Sequence, residues 1–325
     1  MISHTAQQES LVDLDAPGAA EAFCQSASHW GFVQIVNHGI SQSLFDKVWE
    51  QAHLFFGLPC EEKRKVLRNQ DNMLGYFDQE LTKNLRDLKE IYDFGGISSS
   101  SLEKDGHDER IKTGDGYNLW PESLPKFKKT FVEYFANTEL LGHRLLGILC
   151  EGMGLDSNTL TPFFEENHTG FMRLNYYPVD DPLPSDEVAT TAPLGDMALH
   201  QHTDAGVLTI LLQDDAGGLQ AEIDGEWIDV PPLAGALNIN VGDLMQVWSN
   251  DHYPAIVHRV RAVGERSRYS IPFFLNPSYD TDVAPLPDGP PRYSSVNWGA
   301  FRRARSDGDY ADIGKEIQIE DFRIC

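Results

Sequence analysis

The chain has 325 residues, enough for one large domain or two smaller ones. Hydrophobic residues make up 41 % and aromatic residues 10 %, so a large core can form and a disordered chain is excluded. Acidic side chains number 50 against 26 basic ones, a formal net charge of −24. Nucleic acids and anionic membranes require a basic footprint, so this balance argues against both as partners. Cys24, Cys60, Cys150 and Cys325 lie far apart, so there is no CxxC metal or redox motif. "MISHTAQQES" lacks the basic-then-apolar pattern of a signal peptide, and no stretch approaches 18 uninterrupted apolar residues. The expected setting is a reducing cytoplasm.

In chain order, "AEAFCQSASHWG" has a helical pattern closed by Gly31, and "FVQIVNHG" reads as a strand. In "ISQSLFDKVWEQAHLFFGLP", Leu44, Phe45, Val48, Ala52 and Phe55 fall at helical spacing before Gly57 and Pro59. From about Asn69 to Pro121 the sequence is polar and rich in Gly, Ser and Asp. It includes "SSSSLEKDGHDER" and is expected to be a loop. Such a loop, over a site, could order when substrate binds, with Tyr76, Phe77 and Tyr92 in contact. The alternative packs Tyr92 and Phe94 into the core. A long helix is expected from Ser123 to Met153, and a second short one through Leu155 and Leu160.

The texture then changes to short apolar runs divided by turn residues: "FMRLNYYP", "VLTILLQ", "LQAEIDGEWIDV", "ALNINVG", "LMQVWS", "AIVHRVRAV" and "RYSIPFFLN". Asp224–Gly225 is a hairpin signal. Strands at this spacing predict a sandwich, barrel or jelly roll. The tail "VNWGAFRRARSDGDYADIG" predicts one more helix, with Arg302, Arg303 and Arg305 at a solvated helix end. This divides the protein into a mixed N-terminal region, 1–120, packed on a helix-plus-strand core, 121–325, in one compact unit.

Chemistry concentrates at "LHQHTDAGVLTILLQ". His200, His202 and Asp204 occupy alternate positions and so share a face of an extended segment, at the mouth of a buried strand. Gly206 stands between them and the apolar run, where a bend or a close backbone approach is expected. Imidazole plus carboxylate is a first shell for zinc or iron. Among the other histidines, His258 lies between Val257 and Val260 in a predicted strand, a costly place for an unpartnered imidazole. His252, in the turn "SNDHYP", is its competitor. Two readings follow. A dinuclear zinc hydrolase would need HxHxDH, but Ala205 stands where the last His belongs. A facial triad of two His and one carboxylate would use His202, Asp204 and His258 and leave positions open for a cosubstrate and O2. Arg268 and Ser270, two apart on a strand, form a fork and hydroxyl suited to a carboxylate. Asn175 and Tyr177 are likewise two apart.

With these motifs in place, the sequence resembles the iron(II)- and 2-oxoglutarate-dependent dioxygenases of the isopenicillin N synthase-like class. The resemblance rests on blocks in the same order: "GFVQIVNHGI", "FFGLPCEEK", "KEIYDFG", "RLNYYP", "HTDAGVLTILLQDDAGGLQ", "VGDLMQVWSND", "VHRV" and "RYSIPFF". It implies a mainly β protein with flanking helices around a double-stranded β-helix (jelly-roll) core. It implies His202, Asp204 and His258 as catalytic iron ligands, and Arg268 and Ser270 as the grip on the distal carboxylate of 2-oxoglutarate. Asn175 and Tyr177 would line the cosubstrate pocket. His200 is left outside the triad. The implied cofactors are Fe(II), 2-oxoglutarate and O2, with ascorbate as a candidate reductant. The implied reaction oxidises an unactivated C–H bond of a small molecule, in the manner of secondary metabolism, and releases succinate and CO2. Hydroxylation is the default outcome; desaturation and ring closure are variants. The rivals are an iron(II)/O2 oxidase that does without 2-oxoglutarate, the zinc hydrolase, and a non-catalytic binding protein on the same fold. The segments near Gly75–Phe77 and Tyr92 and the C-terminal helix would surround the substrate.

Overall fold

The computed structural model describes residues 10–82, 85–95, 116–165, 168–195, 197–261, 264, 266–286, 289–310 and 317–324. The fold begins with β1 (Leu11–Asp13), α1 (Ala19–Trp30), β2 (Phe32–Val36) and α2 (Gln42–Phe56). Gly31 ends α1 with φ 58°, the left-handed conformation that glycine adopts without a Cβ penalty. Ser41 caps α2 by accepting from the Leu44 amide. Then come β3 (Gly75–Phe77), β4 (Glu90–Gly95) and the long α3 (Phe127–Gly152). The jelly-roll strands are β5 (Phe171–Tyr177), β6 (Leu199–His202), β7 (Leu208–Gln213), β8 (Leu219–Ile223), β9 (Glu226–Asp229) and β10 (Leu237–Val241). After α4 (Asp243–Trp248) they continue with β11 (His258–Val260) and β12 (Arg268–Leu275), and α5 (Trp298–Tyr310) closes the described core.

Eight strands form one sheet in the order β1-β2-β10-β7-β12-β5-β4-β3, and four form a second, β9-β8-β11-β6. Alternation along the strands produces two cores. One face of the large sheet carries Ile35, Tyr92, Phe94, Leu174, Ile210, Ile239 and Phe273 against α1, α2 and α3. The other face meets the small sheet through Phe32, Tyr177, Leu211, Leu219, Ala221 and Val260. Asp224 and Gly225, both at positive φ (52° and 80°), make the tight β8–β9 turn.

Three expectations need correction. "LMQVWS" is a helix, not a strand. Gly242 leaves β10 extended, and the next six residues coil into α4 with every one of them buried. A short run that is buried all round has no period to read. The segment through Leu155 and Leu160 forms turns and a single 3-10 turn at Thr161–Phe163 rather than an α-helix. The stretch from Asn69 to Pro121 is not simply a loop, because β3 and β4 are two strands of the large sheet. Tyr76, Tyr92 and Phe94 are at most 1 % exposed. The Tyr92 ring packs 4.9 Å from Phe55 and 5.2 Å from Phe127, and Phe94 packs 5.7 Å from Phe131. They pack as core residues, which is the alternative reading for Tyr92 and Phe94. "SSSSLEKDGHDER" lies outside the described residues. Among the described residues no helix is long and apolar enough to cross a membrane.

Candidate metal centre

β6 and β11 pair antiparallel with His202 opposite His258, which brings their rings to 4.4 Å between centroids. Asp204 follows two residues beyond His202, where the backbone has left β6. His202 Nε2 lies 3.7 Å from Asp204 Oδ1 and His258 Nε2 lies 3.8 Å from it. One ligand atom from each residue falls within 4.8 Å of the others. Among the described residues this is the one cluster of three or more such groups with that geometry.

The remaining polar atoms of all three residues are engaged. His202 Nδ1 faces the His200 carbonyl at 2.8 Å and His258 Nδ1 faces the Ile256 carbonyl at 3.1 Å. A carbonyl can only accept, so each Nδ1 carries a proton, which leaves Nε2 as the ring atom able to offer a lone pair to a metal. Asp204 Oδ2 accepts from Thr209 Oγ1 at 2.5 Å and from Asn240 Nδ2 at 2.7 Å, which aims Oδ1 at the imidazoles. Burial, together with the neighbouring His258, pushes the His202 imidazole down to about 3, partly offset by Asp204. Burial alone would raise Asp204. The two imidazoles and the Thr209 and Asn240 donors reverse this and hold the carboxyl below its usual range. Two imidazoles held by carbonyls at Nδ1 and one carboxylate held by two donors at Oδ2, each oriented through its other end, are the donor set a facial iron(II) site requires, so the residues present fit the metal.

The backbone of this segment is held closely. The Asp243 amide donates to the Asp204 carbonyl at 2.8 Å, and the Gly242 amide donates to Val207 at 3.0 Å. A Cβ on Gly242 would come within 2.4 Å of the Gly206 carbonyl, and one on Gly206 within 2.0 Å of Asn276 Oδ1. The close approach expected at Gly206 is therefore present. His200 turns its ring to Asp87, with Nδ1 3.3 Å from Oδ1, and serves the centre through its carbonyl. His252 is exposed in its turn and stands apart from the cluster.

Deeper between the sheets, Ser270 pairs with Asn175 and Arg268 with Tyr177 across β12 and β5. These four side chains share the face that meets the small sheet. Arg268 is 2 % exposed. Its Nε donates to the Gly217 carbonyl at 2.8 Å and its Nη1 to Ser270 Oγ at 3.1 Å; its charge sits 5.0 Å from the centre of the Tyr177 ring. Asn175 Nδ2 donates to Ser270 Oγ at 3.4 Å. Beside them a small cavity is lined by Leu88, Tyr177, Ala198 and Arg268.

Several supporting residues escape a reading of motifs. Thr209, Asn240 and Gln213 are three of them; Gln213 accepts from Arg268 Nη2 at 3.4 Å. Asn238 and Asn240 did carry a signal, since amides at alternate positions of a buried strand need partners. A buried ionic cluster on the β4 side was also missed. Lys89 Nζ is 2.7 Å from Glu80 and 3.0 Å from Asp87, while Arg173 reaches Glu80 at 3.0 Å and Asp93 at 2.8 Å. Arg305 departs from expectation: it is 6 % exposed, whereas Arg303 is exposed as expected.

Residues 168–277 match the 2OG-Fe(II) oxygenase superfamily, and residues 8–123 match the non-haem dioxygenase in morphine synthesis N-terminal family. Feruloyl CoA ortho-hydroxylase 2 of Arabidopsis thaliana is 34 % identical over 286 residues, covering 85 % of this chain and 71 % of its own. Gibberellin 3-beta-dioxygenase 1 of Pisum sativum is 30 % identical over 301 residues, covering 90 % and 75 %. The structure of JOX2 in complex with 2OG, Fe and JA superposes with a TM-score of 0.78 at 26 % identity, covering 97 % of this chain and 89 % of that one. A full-length Neurospora crassa protein solved with alpha-KG gives 0.72 at 26 % identity, covering 89 % and 93 %. The protein belongs to the 2OG-Fe(II) oxygenase superfamily, within its isopenicillin N synthase-like class. It is an iron(II)- and 2-oxoglutarate-dependent dioxygenase that oxidises a C–H bond of a small molecule, with O2 as co-substrate and succinate and CO2 as products.

Proposed function

We propose that His202, Asp204 and His258 hold the iron, that Arg268 and Ser270 receive the distal carboxylate of 2-oxoglutarate, and that Asn175 and Tyr177 wall its pocket. The observation that carries this reading is the convergence of three ligand atoms whose partner atoms are already bonded elsewhere. Once bound, Fe(II) with 2-oxoglutarate and O2 supplies the oxidant that takes hydrogen from the substrate. The protein's own residues do the rest. The His200 and Ile256 carbonyls hold the Nδ1 protons, so both imidazoles meet the metal as neutral ligands. Thr209 and Asn240 stop Asp204 from turning its second oxygen inward. Arg268, fixed by Gly217 and Ser270, offers a charge-assisted bond to a carboxylate in a place shielded from water.

The relatives are named as hydroxylases and dioxygenases of small molecules, which supports a small-molecule substrate and hydroxylation as the default outcome. The net charge of −24 supports the absence of a nucleic-acid partner. The test is a panel of small molecules scored by succinate release with Fe(II) and 2-oxoglutarate, with and without ascorbate. His258→Ala serves as the control. Wild-type iron affinity and turnover in His258→Ala would overturn the triad. Substrate oxidation without succinate would replace this reading with the oxidase that does without 2-oxoglutarate.

A further inference from the structure

Along the first two turns of α5, Trp298, Phe301 and Arg305 form a buried stripe, at 0 %, 1 % and 6 % exposure. The first two are ordinary core residues. A guanidinium on the same stripe is not, because a buried cation needs fixed acceptors to offset the loss of water. Arg305 finds them in two places. Its Nη2 donates to the Thr203 carbonyl at 3.1 Å. Its Nη1 donates to the Ile317 carbonyl at 3.4 Å and to the Gln318 side-chain oxygen.

Thr203 is the residue between His202 and Asp204. Successive carbonyls of the ligand segment are thus gripped in turn: Thr203 by Arg305, and Asp204 by the Asp243 amide at 2.8 Å. Asp243 is 0 % exposed. Neither of its carboxylate oxygens receives a donor in good hydrogen-bond geometry, although the Thr203 hydroxyl lies alongside and the Arg305 charge acts on it. The acceptors for Nη1 belong to the C-terminal segment 317–324, which is docked on the body of the protein. The Ser294 amide donates to the Phe322 carbonyl at 2.9 Å, and Arg323 forks onto Asp251 at 2.8 and 2.9 Å.

We propose that Arg305 is a positioning residue of the metal centre: it fixes the peptide between His202 and Asp204 and ties that peptide to the docked C-terminal segment. The proposal rests on the reading of His202 and Asp204 as ligands. Arg305 reaches the ligand segment through the Thr203 carbonyl. Its effect is on the spacing of two ligands whose backbone would otherwise be held on one side only.

The test compares wild type with Arg305→Met, Arg305→Lys, Gln318→Ala and the exposed Arg303→Met. Each protein is titrated anaerobically with Fe(II), and its Co(II)-substituted form is examined by its ligand-field spectrum, which reports coordination geometry. Arg305→Met is expected to weaken Fe(II) binding by about 10- to 100-fold, the range for loss of a group that orients metal ligands, and to alter the Co(II) spectrum. Arg305→Lys recovers part of the affinity, since an ammonium can reach one carbonyl but cannot span both sites. Gln318→Ala acts in the same direction and more weakly, and Arg303→Met binds like wild type. If Arg305→Met does not fold, the Arg305→Lys and Gln318→Ala titrations decide the matter. A lowered melting temperature with unchanged Fe(II) affinity and Co(II) spectrum would reduce Arg305 to a packing role and overturn the proposal. Wild type that binds no Fe(II) would instead overturn the assignment of the ligands.

Discussion

At the scale of single residues, the centre works because each ligand has its other end occupied. Asn240 shows how much this matters. Replacing it by Leu removes one of two donors from Asp204 Oδ2 and lets the carboxylate rotate. Fe(II) affinity should fall roughly 10-fold or more, measured by anaerobic titration, while 2-oxoglutarate binding to iron-saturated protein stays close to wild type. Arg268 and Ser270 should separate by size of effect. Arg268→Leu leaves a buried carboxylate without its charged partner, a loss of roughly 2–5 kcal/mol; Ser270→Ala removes a neutral donor, about 1 kcal/mol. The 2-oxoglutarate concentration needed for half-maximal succinate release reports both, and equal effects would move the carboxylate site elsewhere.

Glu80 is the residue-scale test of the ionic cluster beside the centre. Burial alone would raise its pKa, but Arg173, Lys89 and Arg68 reverse that and hold the carboxyl well below its usual range. A depressed folded-state pKa contributes stability that is fully present above the unfolded value and is lost progressively as pH falls from there through the folded one. Glu80→Gln leaves buried cations underpaired and should cost roughly 3 kcal/mol at neutral pH. The gap to wild type in urea unfolding should narrow as pH falls below the ordinary carboxylate range. A gap that does not change with pH would mean that Glu80 acts by packing alone.

At the scale of elements, the site depends on a crossing of two turns. Gly242 ends β10 and starts α4 against the carbonyls of Asp204 and Gly206, with an added Cβ 2.8 Å from the first and 2.4 Å from the second. Both obstacles are backbone, so neither can swing aside. Its φ of −105° suits any residue, so the restriction is steric rather than conformational. Gly242→Ala should therefore displace the ligand segment. The expected result is weakened Fe(II) binding accompanied by a lower melting temperature. Gly225→Ala, at the remote β8–β9 turn where an added Cβ meets nothing within 4 Å, should lower the melting temperature through its positive φ and leave Fe(II) affinity unchanged.

At the scale of the whole molecule, strands from both ends of the sequence lie in one sheet. β1, β2, β3 and β4 from the first 120 residues flank β10, β7, β12 and β5 of the jelly roll. Removing the first four would expose the edges of β10 and β5 and strip Tyr92 and Phe94 from the core they share with Phe127 and Phe131. The two regions are accordingly expected to unfold together. Intrinsic fluorescence and far-UV dichroism should trace one coincident thermal transition; two separated transitions would show that residues 1–120 fold as a domain of their own.

Local information was sufficient wherever one period or one turn decided the outcome. The α1 and α2 stripes, the Gly31 stop, the Asp224–Gly225 hairpin and the alternating strands are all encoded within about a dozen residues. The candidate site is legible in outline as well: His202 and Asp204 are two apart, and His258, far along the chain, is an imidazole in an apolar strand. Three matters were left to the tertiary structure. α4 is buried on every side, so no face marked it as a helix. The Tyr92 segment is polar on average, yet its aromatics are drawn into the core by α2 and α3, which composition does not register. Arg305 read as a solvated cation because its acceptors on Thr203, Ile317 and Gln318 lie on segments that only folding brings to α5. Sequence spacing determined which groups could bind a metal. The pairing of β6 with β11, and the carbonyls and amides around them, decided which atom of each group is left to do so.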